Sequence, residues 1–189
     1  MKIGVFALQG AFIEHEKMLS KLGAESVEIR RKEHFSDALD GVILPGGEST
    51  VQGKLLREEG LMAPLQEAIL GGMPVFGTCA GLILLAKSLS NDENVYLGTM
   101  DVTVRRNAYG RQLGSFAAKL NFAGVGEYPA VFIRAPYIEH ADAGVDVLAT
   151  VEDKAVAVRQ KNMLATAFHP ELTADMRIHE YFLNMVKGR

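Results

Sequence analysis

Short apolar runs alternate with amphipathic segments through the first half of the chain, and no other feature constrains the fold as much. Residues 2–8 read as a buried strand, followed by a helical stripe of Phe12, Met18, Leu19 and Leu22 that stops at Gly23. A second strand is predicted at 26–29 and a third at 41–44, the latter ending in Pro45, Gly46 and Gly47. Met62, Leu65, Ile69 and Leu70 mark a helix closed by Gly71 and Gly72. A fourth strand at 74–77 runs through a turn into a helix at 82–89. Near-continuous apolar strands alternating with helices predict a parallel sheet covered on both faces.

The second half changes character. Strands are predicted at 102–105, 115–120, 131–133, 147–151, 155–159 and 163–167, some with turn signals such as Asn162 between them. Their close spacing suggests antiparallel pairing on the same core. Thr173 is placed to cap a last helix over 174–186, with Met176, Phe182 and Met185 inward. No repeat, low-complexity stretch or linker divides the chain, so residues 1–189 are expected to form one domain. At this length roughly 70% of the unfolded surface can be buried, enough for a core without covalent staples.

Charge and cysteine content exclude several classes. The 20 Lys and Arg against 23 Asp and Glu leave a net charge of -3, so nothing invites a nucleic-acid backbone. The one cysteine permits no internal disulfide and no cysteine-built zinc site, and points to the reducing cytoplasm. The apolar run at 3–8 is too short for a signal peptide, and nowhere do ~18 apolar residues run uninterrupted, so a membrane location is not expected.

That single thiol sits in Gly77-Thr78-Cys79-Ala80-Gly81, where a strand gives way to a helix. Flanking glycines permit the sharp turn of a nucleophile elbow, which lifts the side chain above the sheet. The helix N-terminus that follows favours thiolate and can hold a developing oxyanion. A free cysteine is most often a small buried hydrophobe, but glycines on both sides at a strand-to-helix switch tip the balance toward chemistry. A base is at hand in Phe168-His169-Pro170-Glu171. Pro170 favours extended backbone at His169, and residues two apart in extended chain share a face, so Glu171 can reach the imidazole. Alone, the pair would read as a strand end and a solvated acid; with the elbow it reads as base and orienting carboxylate. His15 and His179 fall on helices among charges, and His34 and His140 in polar loops, so all four are expected at the surface.

Leu44-Pro45-Gly46-Gly47-Glu48-Ser49-Thr50 forms another loop at the C-terminal end of a strand, where parallel sheets place their binding crevice. Its glycines let backbone N–H groups approach a substrate oxygen. A phosphate loop is excluded, because Glu48 stands where the Gly53-Lys54 spacing requires glycine and Leu55 where it requires a hydroxyl. Arg105, Arg106 and Arg134 interrupt strand patterns, and each is equally a carboxylate clamp or an edge arginine facing water.

The elbow, the His-Pro-Glu run and the Pro-Gly-Gly loop occur in an order that resembles the class I glutamine amidotransferase family over nearly the whole chain. Leu8-Gln9-Gly10-Ala11, residues 45–50, residues 106–112 and Phe132-Ile133-Arg134-Ala135-Pro136 resemble, more narrowly, the glutaminase subunits of pyridoxal phosphate synthase. The resemblance implies an α/β, flavodoxin-like three-layer sandwich: a mixed, mostly parallel central sheet with helices on both faces and added antiparallel strands. It implies Cys79 as nucleophile with His169 and Glu171 completing the triad. It also implies glutamine contacts at Gly47, Glu48, Ser49, Arg106, Ile133 and Arg134, and oxyanion donors at Gly47 and Ala80. No cofactor or metal is implied. The substrate would be L-glutamine, and the partner a barrel-fold synthase subunit that accepts the ammonia within a hetero-oligomeric complex, with Gln9 and Gly10 at the interface or in a simple turn. The rival readings are a cysteine hydrolase or stress-protective protein of the same architecture, and a binding module with an inert thiol.

Overall fold

A computed structural model describes residues 1–107 and 114–188. The sheet starts with β1 (Lys2–Phe6), β2 (Glu25–Ile29), β3 (Gly41–Leu44) and β4 (Val75–Thr78), interleaved with helices α1 (Phe12–Lys21), α2 (Ser49–Glu58) and α3 (Met62–Leu70). After β4 come α4 (Ala80–Leu85), β5 (Ala86–Leu89), β6 (Met100–Arg105), β7 (Ser115–Phe122), β8 (Gly126–Ile133) and β9 (Tyr137–Ala141). The chain then forms β10 (Asp146–Val151), β11 (Lys154–Gln160), β12 (Met163–Thr166) and α5 (Arg177–Lys187). Among the described residues the strand order is β2-β1-β3-β4-β12-β11-β9-β6-β5, with β10 on β11 and β7-β8 as a separate ribbon.

The first five strands of that order are parallel to one another. β12 therefore returns from the far end of the chain to lie beside β4, with Thr166 opposite Thr78. β11 pairs antiparallel with β9, β10 and β12, and β9 pairs antiparallel with β6. The sheet is thus mixed, as expected, with five parallel strands around β4 and a further parallel pair, β5 and β6, at the other end.

Alternation along β4 shows how the helices divide between the faces. The Phe76 ring meets Phe182 and His179 of α5 and His15 of α1, at centroid distances of 5.6, 5.7 and 6.1 Å. Gly77 points the other way, where an added Cβ would lie 2.7 Å from the Gly81 backbone of α4. Helices accordingly cover both faces. The core between them includes Ile3, Val5, Ile43, Val75, Phe76, Leu164 and Phe182, all without exposure.

Several expectations are corrected here. The segment at 82–89 is not one helix: α4 ends at Leu85 and Ala86–Leu89 forms β5, because the four apolar residues Leu82 to Leu85 carry neither period and do not show where the helix stops. Thr173 does not cap the last helix; α5 begins at Arg177, and Thr173 Oγ1 instead accepts from the Asp175 N–H and shares a hydrogen bond of 3.0 Å with Tyr128 Oη. Met176 and Met185 are only half-buried beside the fully buried Phe182. α2 and β9 are elements that the sequence pattern did not announce.

Candidate active site

Two loops at the C-terminal ends of parallel strands interlock before any catalytic group is placed. Ala11 N–H donates to Gly46 O at 3.0 Å, and Gly10, at φ 104°, lies so close that a Cβ there would stand 1.9 Å from the same oxygen. Gln9 Oε1 accepts from Glu48 N–H at 2.8 Å, and Gln52 Nε2 donates to Gln9 O at 2.8 Å and Pro45 O at 3.1 Å. The Pro45-Gly46-Gly47-Glu48 loop is therefore tied down from behind.

β4 delivers Cys79 at a tight elbow. Its φ of 47° and ψ of -94° lie in a region that costs a non-glycine residue about 1–3 kcal/mol, and such strain gathers at functional sites. The Cys79 N–H donates to Thr166 O of β12 at 2.8 Å, which fixes the turn to the neighbouring strand. Close approach explains the second flanking glycine as well: a Cβ on Gly81 would lie 2.2 Å from Leu44 O.

β12 ends three residues before His169, whose N–H donates to Val131 O of β8 at 2.8 Å. His169 Nδ1 lies 2.7 Å from Glu171 Oε1, and both residues are buried. Burial disfavours the imidazolium, but hydrogen bonds to Cys79 and Glu171 and their charges outweigh it, pushing the His169 pKa up to about 10. The expected trio Cys79, His169 and Glu171 is thus gathered at one place, from segments about ninety residues apart in sequence.

These side chains open into a cavity of about 200 Å³. Gly47, Glu48, Ser49, Arg106, Ile133 and Arg134 all line it with Cys79 and His169, as do Gln9, Ile83 and Asn107. Arg134, itself at φ 43°, bridges to Glu48 at 2.8 Å across the mouth, and Arg106 is paired with Asp92. Ala80 follows Cys79 but is fully buried and does not line the cavity. Arg105 lies outside it, exposed and 3.6 Å from Glu139 on the adjacent strand, and its β6 is flanked by β9 and β5 rather than at a sheet edge, whereas Arg106 lines the cavity. The run Ala108 to Gln112 lies outside the described residues.

Ile83 and Asn107 are cavity residues that the sequence did not flag, and Gln9 is set in the cavity wall rather than a bare turn. Two histidines expected at the surface are in its foundations: His15 and His179 are both without exposure. His34 and His140 are exposed, the latter on β9 rather than in a loop. Among the described residues, no group of three or more His, Cys, Asp or Glu could hold a metal ion, and no helix is long and apolar enough to cross a membrane.

The SNO glutamine amidotransferase family model matches residues 5–188. The pyridoxal 5'-phosphate synthase subunit PdxT of Streptococcus pneumoniae (strain ATCC 700669 / Spain 23F-1) is 57% identical over 192 residues, covering 100% of both chains. Among solved structures, one described as a glutamine amidotransferase superposes with a TM-score of 0.94 at 47% identity over 98% of each chain. PurLQS from Thermotoga maritima shares the fold with a TM-score of 0.73 at 16% identity over 97% of each chain.

Proposed function

The chain belongs to the SNO glutamine amidotransferase family, and from that premise we propose that Cys79, His169 and Glu171 are the triad with which it hydrolyses L-glutamine. It is the glutaminase subunit of a pyridoxal 5'-phosphate synthase, and it delivers ammonia to the synthase partner. The observation that carries the site assignment is the strained elbow thiol facing a buried imidazole whose other nitrogen is 2.7 Å from a carboxylate.

The reaction follows from that arrangement. Held as imidazolium, His169 favours thiolate at Cys79, which attacks the side-chain carbonyl carbon of glutamine. Negative charge builds on the carbonyl oxygen, for which the backbone N–H groups of Gly47 and Ala80 are the donors we assign. His169 gives its proton to the departing nitrogen, the carbon–nitrogen bond breaks, and ammonia leaves a thioester. Water then loses a proton to His169, adds to the thioester and releases glutamate and the thiolate. Arg106, Arg134, Glu48, Ser49 and Ile133 line the space for the rest of the substrate, with Arg106 suited to its α-carboxylate.

Released ammonia would be protonated near neutral pH and lost, so the product has to pass directly to the subunit that uses it. In our reading, which the family resemblance supports, that partner is a barrel-fold subunit whose docking raises a nearly silent glutaminase, with Gln9 and Gly10 near the contact. One domain spanning residues 1–189, at work in the cytoplasm, completes the reading.

Glutaminase assays of the isolated chain and of the chain with its synthase partner test it. Cys79→Ala and His169→Asn should each abolish ammonia release while circular dichroism stays native, and Glu171→Gln should cost less than either. Near-full turnover by His169→Asn with partner present would refute the base. Ester or peptide hydrolysis indifferent to glutamine would favour a cysteine hydrolase instead.

A further inference from the structure

Beneath the triad lies a second polar group that the chemistry above leaves unused. His15 of α1 and His179 of α5 are fully buried, with His15 Nδ1 2.9 Å from His179 Nε2. The other ring nitrogen of His15, Nε2, lies 3.2 Å from Thr78 Oγ1 and 3.6 Å from Glu171 Oε2. Glu171 commits Oε1 to His169, while its buried Oε2 has no hydrogen-bond partner, and neither has His179 Nδ1. A buried carboxylate oxygen left without a donor is costly, so the nearest N–H is significant.

The tautomers of the two rings follow from their surroundings. With its proton on Nδ1, His15 would turn a lone pair toward the carboxylate, and His179 would bury an unpaired N–H. With its proton on Nε2, His15 points an N–H at Thr78 and Glu171, accepts at Nδ1 from His179, and leaves only a lone pair unpaired on His179. The second arrangement removes both penalties. Burial first, then the neighbouring His179 and His169, hold the His15 pKa well below its ordinary value, so the ring is neutral.

We propose that His15 is a positioning residue for the triad: its Nε2–H, fixed by His179, steers Glu171 Oε2 and thereby aims Oε1 at His169. The inference rests on the triad assignment above, and His15 itself touches no reacting atom. At 3.6 Å the contact is longer than a hydrogen bond. A shift of roughly half an ångström in the substrate complex completes it, as catalytic contacts commonly tighten on binding.

His15→Gln and His15→Met are close in shape but differ in whether an N–H remains near the Nε2 position. In the complex with the synthase partner, and per folded site, Met should lower kcat about 10- to 100-fold with KM changed less than about twofold. Gln should recover most of the loss. In a Glu171→Gln background, Met should add less than about twofold, because its effect passes through that carboxylate. Wild-type kcat in the Met variant, Gln no better than Met, or independent losses in the cycle would overturn the proposal. Should Met not fold, His179→Leu keeps His15 but removes the donor that fixes its tautomer: lowered kcat at unchanged KM supports the role, and wild-type kcat overturns it. Cys79→Ala separates the two levels. If that variant is active the triad assignment fails; if it is dead while Met is fully active, only the role of His15 fails.

Discussion

Mild acid should loosen this protein before its carboxylates titrate, because two histidines are buried uncharged between α1, α5 and β4. An unfolded imidazole takes up its proton near pH 6.5, whereas burial lowers the His179 pKa to about 4. The neutral folded form therefore carries stability that is whole above pH 6.5 and lost as the pH falls toward 4. Between pH 7 and 5 this amounts to about 2 kcal/mol for His179 at roughly 1.4 kcal/mol per pH unit. His15, lowered by burial and by the charges of His179 and His169, adds a loss of the same sign. His169 works in the opposite direction: its pKa is raised to about 10, so its contribution is complete below pH 6.5 and disappears as the pH rises through 10. Over the same interval it returns about 1 kcal/mol. The expected outcome is a net loss of at least about 1 kcal/mol from His179 and His169 together, deepened by His15. Urea unfolding at pH 7, 6 and 5 measures it, and His179→Leu should remove about 2 kcal/mol of the acid sensitivity. Stability equal or greater at pH 5, or a His179→Leu variant as acid-sensitive as the parent, would refute the linkage.

Two further outcomes follow from close contacts in the cavity wall. A Cβ on Gly46 would stand 2.3 Å from His169 Cε1, so Gly46→Ala should displace the imidazole and lower kcat by about 100-fold with the fold intact; steady-state kinetics beside a melting curve would check this, and retained kcat would mean that the ring has room. Arg106→Ala should raise KM for glutamine about 10-fold through loss of a charge-assisted contact, and an unchanged KM would remove Arg106 from the substrate site.

What was legible in the sequence was the part written in glycines and period. Gly77 and Gly81 announce the elbow because backbone from the neighbouring strand and helix occupies the space of their missing side chains. The strands 41–44 and 163–167 are apolar enough along their length to be placed within a residue of their observed ends. α2 escaped because its apolar face is thin and Gly53 sits mid-helix; the reason for that glycine is the Tyr96 ring, which would meet a Cβ at 2.2 Å. β9 escaped because Glu139 and His140 break its alternation, although antiparallel pairing with β6 settles it as a strand. The buried histidines were misplaced for a different cause. Weighing the charged neighbours of His15 hid its position on the same stripe as Phe12, Leu19 and Leu22, and His179 likewise lies beside Ile178, Phe182 and Val186 on the inward face of α5. Helical spacing held that signal; residue chemistry obscured it.

The pairing of β12 alongside β4 bears on synthesis. A chain emerging from the ribosome can shape its first four strands and present a thiol while the imidazole is still untranslated. Only after residue 171 has cleared the exit tunnel can the late strand slot in and supply its proton carrier. With the triad proposed above, an incomplete product would carry the nucleophile without its base and would leave glutamine intact.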